Sequence, residues 1–206
     1  MGLPGAGKST TAEALSVLVP GSVVFPEPAQ DQWPPAVTER HEFGCFGAIT
    51  WFRSMRVPLL HRANKLRLSG GVAIVDSYYD KLIMDYADHP DMKWLLPPED
   101  AYLPVIREMA RLDQMLLPVV DCLIFLQVTF EQWRYLLSTR QREMDSEEAF
   151  LNSFSTQAAF LGAAQAFASR TGAPLIKYDQ HLGGPNATAS KLLDLLEQNG
   201  LLSRGQ

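Results

Sequence analysis

A three-layer α/β domain built on a parallel sheet is the fold class this sequence predicts, and three observations predict it. Short β-branched runs without polar alternation recur along the chain, helical stretches with recognisable ends lie between them, and a glycine-rich turn opens the first helix. Strands buried on both faces of a parallel sheet read as such unbroken apolar runs. Strands alternating with helices imply right-handed crossovers packed on the sheet. One domain over residues 1–206 accounts for this length, since no repeat, low-complexity tract or long linker divides the chain.

The elements follow in order. Lys8 to Val19 is helical and stops at Pro20-Gly21. Ser22 to Phe25 (SVVF) is the first apolar run. A long helical pattern then covers Val37 to Ser69, with Pro58 placed to bend or split it and Gly70-Gly71 closing it. Val72 to Val75 (VAIV) is the second run. Asp88 to Pro98, with Trp94 and three prolines, reads as an exposed insertion. Pro97-Pro98-Glu99-Asp100 starts a helix that runs to about Leu116. Leu123 to Val128 (LIFLQV) is the third run, and Thr129 caps a helix from Phe130 to about Thr139. Asp145 with Glu148 forms a capping pair for a helix that Gly172 ends. Leu175 to Tyr178 (LIKY) and a helix from about Ala187 to Asn199 complete the chain.

Composition excludes several classes. Lys and Arg number 18 against 23 Asp and Glu, a net charge of −5, so nothing favours non-specific binding to a nucleic acid polymer or an anionic membrane. The longest apolar stretch, Leu116 to Val128, is interrupted by Pro118 and Asp121 and is too short to span a bilayer. Cys45 and Cys122 are far apart without metal spacing, which suits a reduced, cytoplasmic compartment. The four histidines show no metal spacing either. With Met1 directly before the glycine-rich motif, no signal or transit peptide is expected.

The chemistry begins at residue 2. Gly2-Leu3-Pro4-Gly5-Ala6-Gly7-Lys8-Ser9 matches G-x-x-x-x-G-K-[ST], and Thr10 follows. Such a loop turns backbone N–H groups around phosphates, with Lys8 as a point charge on the β/γ-phosphates and Ser9 offering a hydroxyl to Mg²⁺. The helix opening at Gly7 or Lys8 aims its partly positive end at the same anion. A loop of this kind ordinarily follows a buried strand, and only Met1 precedes it here. The expectation is therefore that the first strand is missing and the natural chain begins upstream, the alternative being a truncated form of questionable activity.

Glu27-Pro28 stands directly after the first apolar run, with Trp33 beyond it. Here the sequence resembles the deoxyribonucleoside kinase and thymidylate kinase group, whose members carry Glu-Pro at this point and, in the nucleoside kinases, a Trp about one residue nearer. The resemblance implies a P-loop kinase fold, ATP with Mg²⁺, and transfer of the γ-phosphoryl group to a nucleoside or nucleoside monophosphate. Glu27 would take the acceptor's hydroxyl proton, and Trp33 would stack on a flat base. Asp76, after the second apolar run, would hold Mg²⁺ through water and orient the acceptor groups. Ser77 departs from the family's usual Arg, and Lys81 is a candidate to restore the lost charge.

Arg140-Gln141-Arg142 followed by acidic residues is similar to the family's lid, at about 138–147, whose arginines stabilise the transferring group as the segment closes. Asp179, Gln180 and His181 are placed beside the adenine. Phe43, Phe46, Ile49, Trp51 and Phe52 form the core-facing stripe of the long helix, with Trp51 or Arg53 as a substrate contact. The partners implied are ATP and a small-molecule acceptor, and a homodimer is left open. Two other readings remain: a nucleotide-binding module without transfer activity, and a kinase for some other small hydroxyl compound.

Overall fold

The computed structural model describes residues 1–140, 152–181 and 183–202. Strands β1 (Val23–Phe25), β2 (Ala73–Val75), β3 (Leu123–Gln127) and β4 (Leu175–Asp179) form where the apolar runs predict them. Helices α1 (Lys8–Leu18), α2 (Pro35–Thr38), α3 (Arg40–Phe43) and α4 (Cys45–Leu68) occupy the first half of the chain. They are followed by α5 (Ile83–Tyr86), α6 (Leu103–Leu116), α7 (Phe130–Arg140), α8 (Thr156–Thr171) and α9 (Gly184–Gln198). The Asp145–Glu148 capping pair lies outside the described residues; α8 ends at Gly172, as the sequence predicts.

All strand pairing is parallel, with Val23 opposite Ala73 and Leu123 opposite Leu175. Among the described residues the strands form two pairs, β1 with β2 and β3 with β4. Met1 lines the other edge of β3, its amino group donating to Ile124 O at 2.7 Å and its carbonyl accepting from Leu126 N at 2.9 Å. Among the described residues no strand bridges β2 to β3.

β3 organises the interior because its side chains alternate between two apolar clusters. Leu123 and Phe125 pack with Ile106 and Ala110 of α6 and with Phe160, Ala164 and Phe167 of α8. Leu126 faces the opposite way, onto Leu15 of α1 and Ala189, Leu192 and Leu196 of α9. Both faces are apolar and both are covered by helices, which is why the strand shows no polar alternation.

Two other expectations change. The 37–69 stretch is divided near Glu39 and at Gly44, where φ is +78°, while Pro58 lies inside α4 without ending it. A side chain at Gly44 would be strained by that left-handed backbone, so the break falls on the residue that adopts it most readily. Within Asp88 to Pro98, Met92 is fully buried and Leu96 nearly so, so this segment contributes to the core instead of standing out as an insertion. No helix among the described residues is long and apolar enough to cross a membrane.

Candidate functional site

Four carbonyls of the glycine-rich loop are held by side chains. Gly2 O accepts from the Tyr79 hydroxyl at 2.5 Å and Leu3 O from Lys8 Nζ at 3.0 Å. Pro4 O accepts from Trp133 Nε1 at 2.8 Å and Ala6 O from Gln180 Nε2 at 3.1 Å. The Ala6 N–H closes the turn onto Leu3 O at 3.1 Å, and side chains occupy these four carbonyls, so the loop is held in shape around the place where a phosphate cradle would form. Gly5 adopts φ +85°, and a Cβ there would come within 2.5 Å of Leu137 Cδ2, so a side chain meets both strain and a clash. Thr10 caps locally onto Gly7 O. Trp133 and Gln180 carry no motif of their own. They are legible only once α7 and the end of β4 are folded against the loop, and the sequence reading missed Trp133 altogether.

Glu27 and Asp76 follow the C-terminal ends of the neighbouring strands β1 and β2, where open α/β sheets place their ligands. Asp76 is buried, and its Oδ2 accepts from Ser9 Oγ at 2.6 Å. Its other oxygen, Oδ1, is buried without a hydrogen-bond partner. A spare carboxylate oxygen beside a hydroxyl is a donor set suited to Mg²⁺, which commonly takes one or two protein oxygens and completes its octahedron with phosphates and water. Among the described residues no cluster of three or more His, Cys, Asp or Glu could hold a metal, so an ion at this site would depend on the triphosphate for the rest of its shell.

Glu27 lies between two cations. Arg56, from the middle of α4, donates Nη1 to Glu27 Oε1 at 3.2 Å. The same guanidinium grips Asp80, with Nε on Oδ2 at 2.7 Å and Nη2 on Oδ1 at 3.0 Å. Asp80 is fully buried and the Arg56 side chain is 12% exposed, so the pair is largely withdrawn from solvent. Burial would raise the Glu27 carboxyl, but Lys8 and Arg56 outweigh it and hold the group below the usual carboxylate range. Lys8 is lowered by burial first and by Arg140 and Arg56 as well, with Glu27 and Asp76 opposing. Burial raises the Tyr79 hydroxyl well above its ordinary value, which keeps the proton it donates to Gly2 O. Sequence reading did not single out Arg56 or Asp80; the signal available was a lone Arg and a lone Asp on separate elements.

Trp33 is pinned beside Glu27-Pro28, its Nε1 on Pro28 O at 3.3 Å. It meets Phe52 edge-on at 5.4 Å between centroids, and the Arg56 guanidinium lies 5.2 Å from the Phe52 ring and 5.7 Å from that of Tyr79. The predicted core stripe is therefore split. Ile49 is buried and Phe46 packs against the core, whereas Phe43 is 61% exposed and Phe52 belongs to the wall beside Glu27. Arg53 points elsewhere, onto Asp113 of α6 through Nε at 2.5 Å and Nη2 at 2.6 Å. Lys81 does not replace the arginine missing at Ser77: it is buried, with Nζ on Leu117 O at 2.5 Å.

Arg140 ends α7 close enough for its charge to act on Lys8. Arg142 and most of the predicted lid lie outside the described residues. Of the three residues placed beside the adenine, Gln180 is buried, fixed to the loop at Ala6 O and to Thr188 Oγ1 at 2.7 Å. A cavity of about 770 Å³ lies elsewhere, between α4 and α6 and lined by apolar residues such as Val57, Met109 and Leu112. It contains none of the groups gathered at the strand ends.

No family model matches this sequence, and none of the curated proteins does. Among solved structures, the chain is similar to thymidylate kinase from Candida albicans, with a TM-score of 0.62 over 97% of this chain and 90% of that one. Identity between the two is 19%, so the likeness is one of fold: an α/β P-loop kinase fold.

Proposed function

We propose that the protein is an ATP-dependent phosphotransferase that moves the γ-phosphoryl group to a nucleoside or nucleoside monophosphate. The observation that carries this reading is the meeting of the side-chain-anchored Gly2–Ser9 loop with an ionised Glu27 flanked by Lys8 and Arg56. The P-loop kinase fold supports it. The backbone of Gly2, Leu3, Pro4, Gly5, Ala6 and Gly7, with Lys8, Ser9 and Thr10 at the start of α1, binds the triphosphate. Ser9 and Asp76 hold Mg²⁺, which when bound screens phosphate charge. Trp33 and Phe52 border the acceptor.

In the transfer step Glu27 accepts the proton of the acceptor hydroxyl as that oxygen bonds to the γ-phosphorus. The bond from the γ-phosphorus to the β–γ bridging oxygen breaks, and ADP leaves with the electron pair. Lys8 shifts from Leu3 O to the β/γ-oxygens, and Arg140, with Arg142 of the lid, stabilises the charge spread over the transferring group. A full carboxylate is needed to receive the proton, and the two cations beside Glu27 keep it ionised at neutral pH.

A coupled assay of ADP release over nucleosides and their monophosphates tests the reading. Acceptor-dependent ADP formation is expected. ATP binding without any acceptor-dependent ADP would replace it with a nucleotide-binding role.

A further inference from the structure

We infer that the acceptor is an uncharged hydroxyl compound of the nucleoside class and not its monophosphate, an inference that rests on the phosphotransfer reading above. Among the described residues, the wall beside Glu27 has no cation to spare for a phosphate dianion. Its one guanidinium, Arg56, is committed by two hydrogen bonds to Asp80 and by a third to Glu27. Glu27 and Asp80 share this guanidinium, so it offers an acceptor no unpaired positive charge. Ser77, next to Asp76, is buried and neutral.

Three further cations on the neighbouring elements are turned to different partners. Arg53 is bound bidentately to Asp113, Lys81 is buried on Leu117 O, and Arg40 lies over the Trp94 ring at 5.0 Å. Lys8 and Arg140 act on the phosphate-loop side, where the triphosphate already claims positive charge. Among the described residues, a dianion placed against this wall meets Glu27 and Asp80 without a free counter-charge, and in a partly desolvated site that repulsion is poorly screened. A neutral hydroxyl compound meets no such opposition. Its oxygen finds Glu27 as acceptor, and a flat ring finds the edges of Trp33 and Phe52.

Equilibrium binding separates the two classes. The full chain, saturated with a non-hydrolysable ATP analogue and Mg²⁺, is titrated with thymidine, deoxycytidine, deoxyadenosine and deoxyguanosine and with their 5′-monophosphates. At least one nucleoside should bind about ten-fold or more tightly than its own monophosphate. A monophosphate that binds as tightly, or no binding by any of the eight, overturns the inference. Ser77→Arg, which adds a cation at this wall, should shift the ratio toward the monophosphate by about ten-fold. Asp80→Asn, which releases Arg56, should shift it the same way and serves where Ser77→Arg fails to fold. An unchanged ratio in a folded variant contradicts the charge account. Nucleoside binding without phosphoryl transfer would remove the kinase reading and leave the acceptor class standing, whereas transfer to a monophosphate would do the reverse.

Discussion

Glu27 is held as a carboxylate by Lys8 and Arg56 against the effect of its own burial, and each side of that balance can be tested by substitution. Glu27→Gln keeps the shape of the side chain and removes its ability to take a proton. Steady-state kinetics should show a maximal rate lower by ~10²–10⁴-fold with little change in ATP affinity. Arg56→Ala acts on both charge and stability. It strips the counter-ion from the fully buried Asp80, and breaking a buried pair in this way costs about 3–5 kcal/mol, read as a fall in denaturant midpoint. It also removes one of the cations that depress Glu27. The Glu27 carboxyl is lower folded than unfolded, so its ionisation stabilises the protein above the ordinary glutamate range, and that contribution disappears as pH falls through the folded value. In Arg56→Ala the acid limb of the pH–rate profile should therefore move to higher pH. The Gly2–Ser9 motif was legible from its own spacing, and Glu27 and Asp76 because each is a carboxylate placed just after a strand. The Arg56–Asp80 grip was not, because its partners lie 24 residues apart and a charge in a helix resembles any solvated one until the helix is packed.

At the scale of the element, the phosphate loop is a turn whose shape is imposed by side chains from distant parts of the chain. Trp133 reaches Pro4 O from α7, and Gln180 reaches Ala6 O from just beyond β4. Trp133→Phe keeps most of the buried ring and deletes one donor, a loss of about 1 kcal/mol if the loop is as ordered by it as the geometry implies. Calorimetric titration should then show ATP bound roughly five-fold more weakly, with the circular dichroism spectrum unchanged. Gly5→Ala should be worse, since it combines a left-handed backbone costing about 1–3 kcal/mol with a contact on Leu137. The four strands were readable because β-branched runs buried on both faces leave a plain compositional mark. The break at Gly44 was not, because the helical pattern continues on either side of it and Pro58 is the more conspicuous interruption. The burial of Met92 and Leu96 was hidden in the same way, by the prolines around them.

For the whole molecule, the two strand pairs are joined at the phosphate loop, which touches β3 through Met1 and the segment after β2 through Tyr79. That division could not be read from the sequence, since periodicity identifies strands and says nothing of which edges meet. A ligand that fills the loop grips both halves and should stabilise the fold as a unit. ATP with Mg²⁺ at about 100 times its dissociation constant adds ~2.7 kcal/mol, a rise in melting temperature of roughly 5–10 °C for a domain near this size. Lys8→Ala should abolish most of that rise while melting like the parent in the absence of nucleotide. Phosphoryl transfer itself is the central claim, and ³¹P NMR of the chain with ATP, Mg²⁺ and the nucleoside panel follows it directly. The account predicts a new phosphomonoester resonance that grows in step with ADP, only when an acceptor is present, and vanishes in Lys8→Ala. ADP appearing with inorganic phosphate alone, or no turnover from a chain that binds ATP, would contradict it.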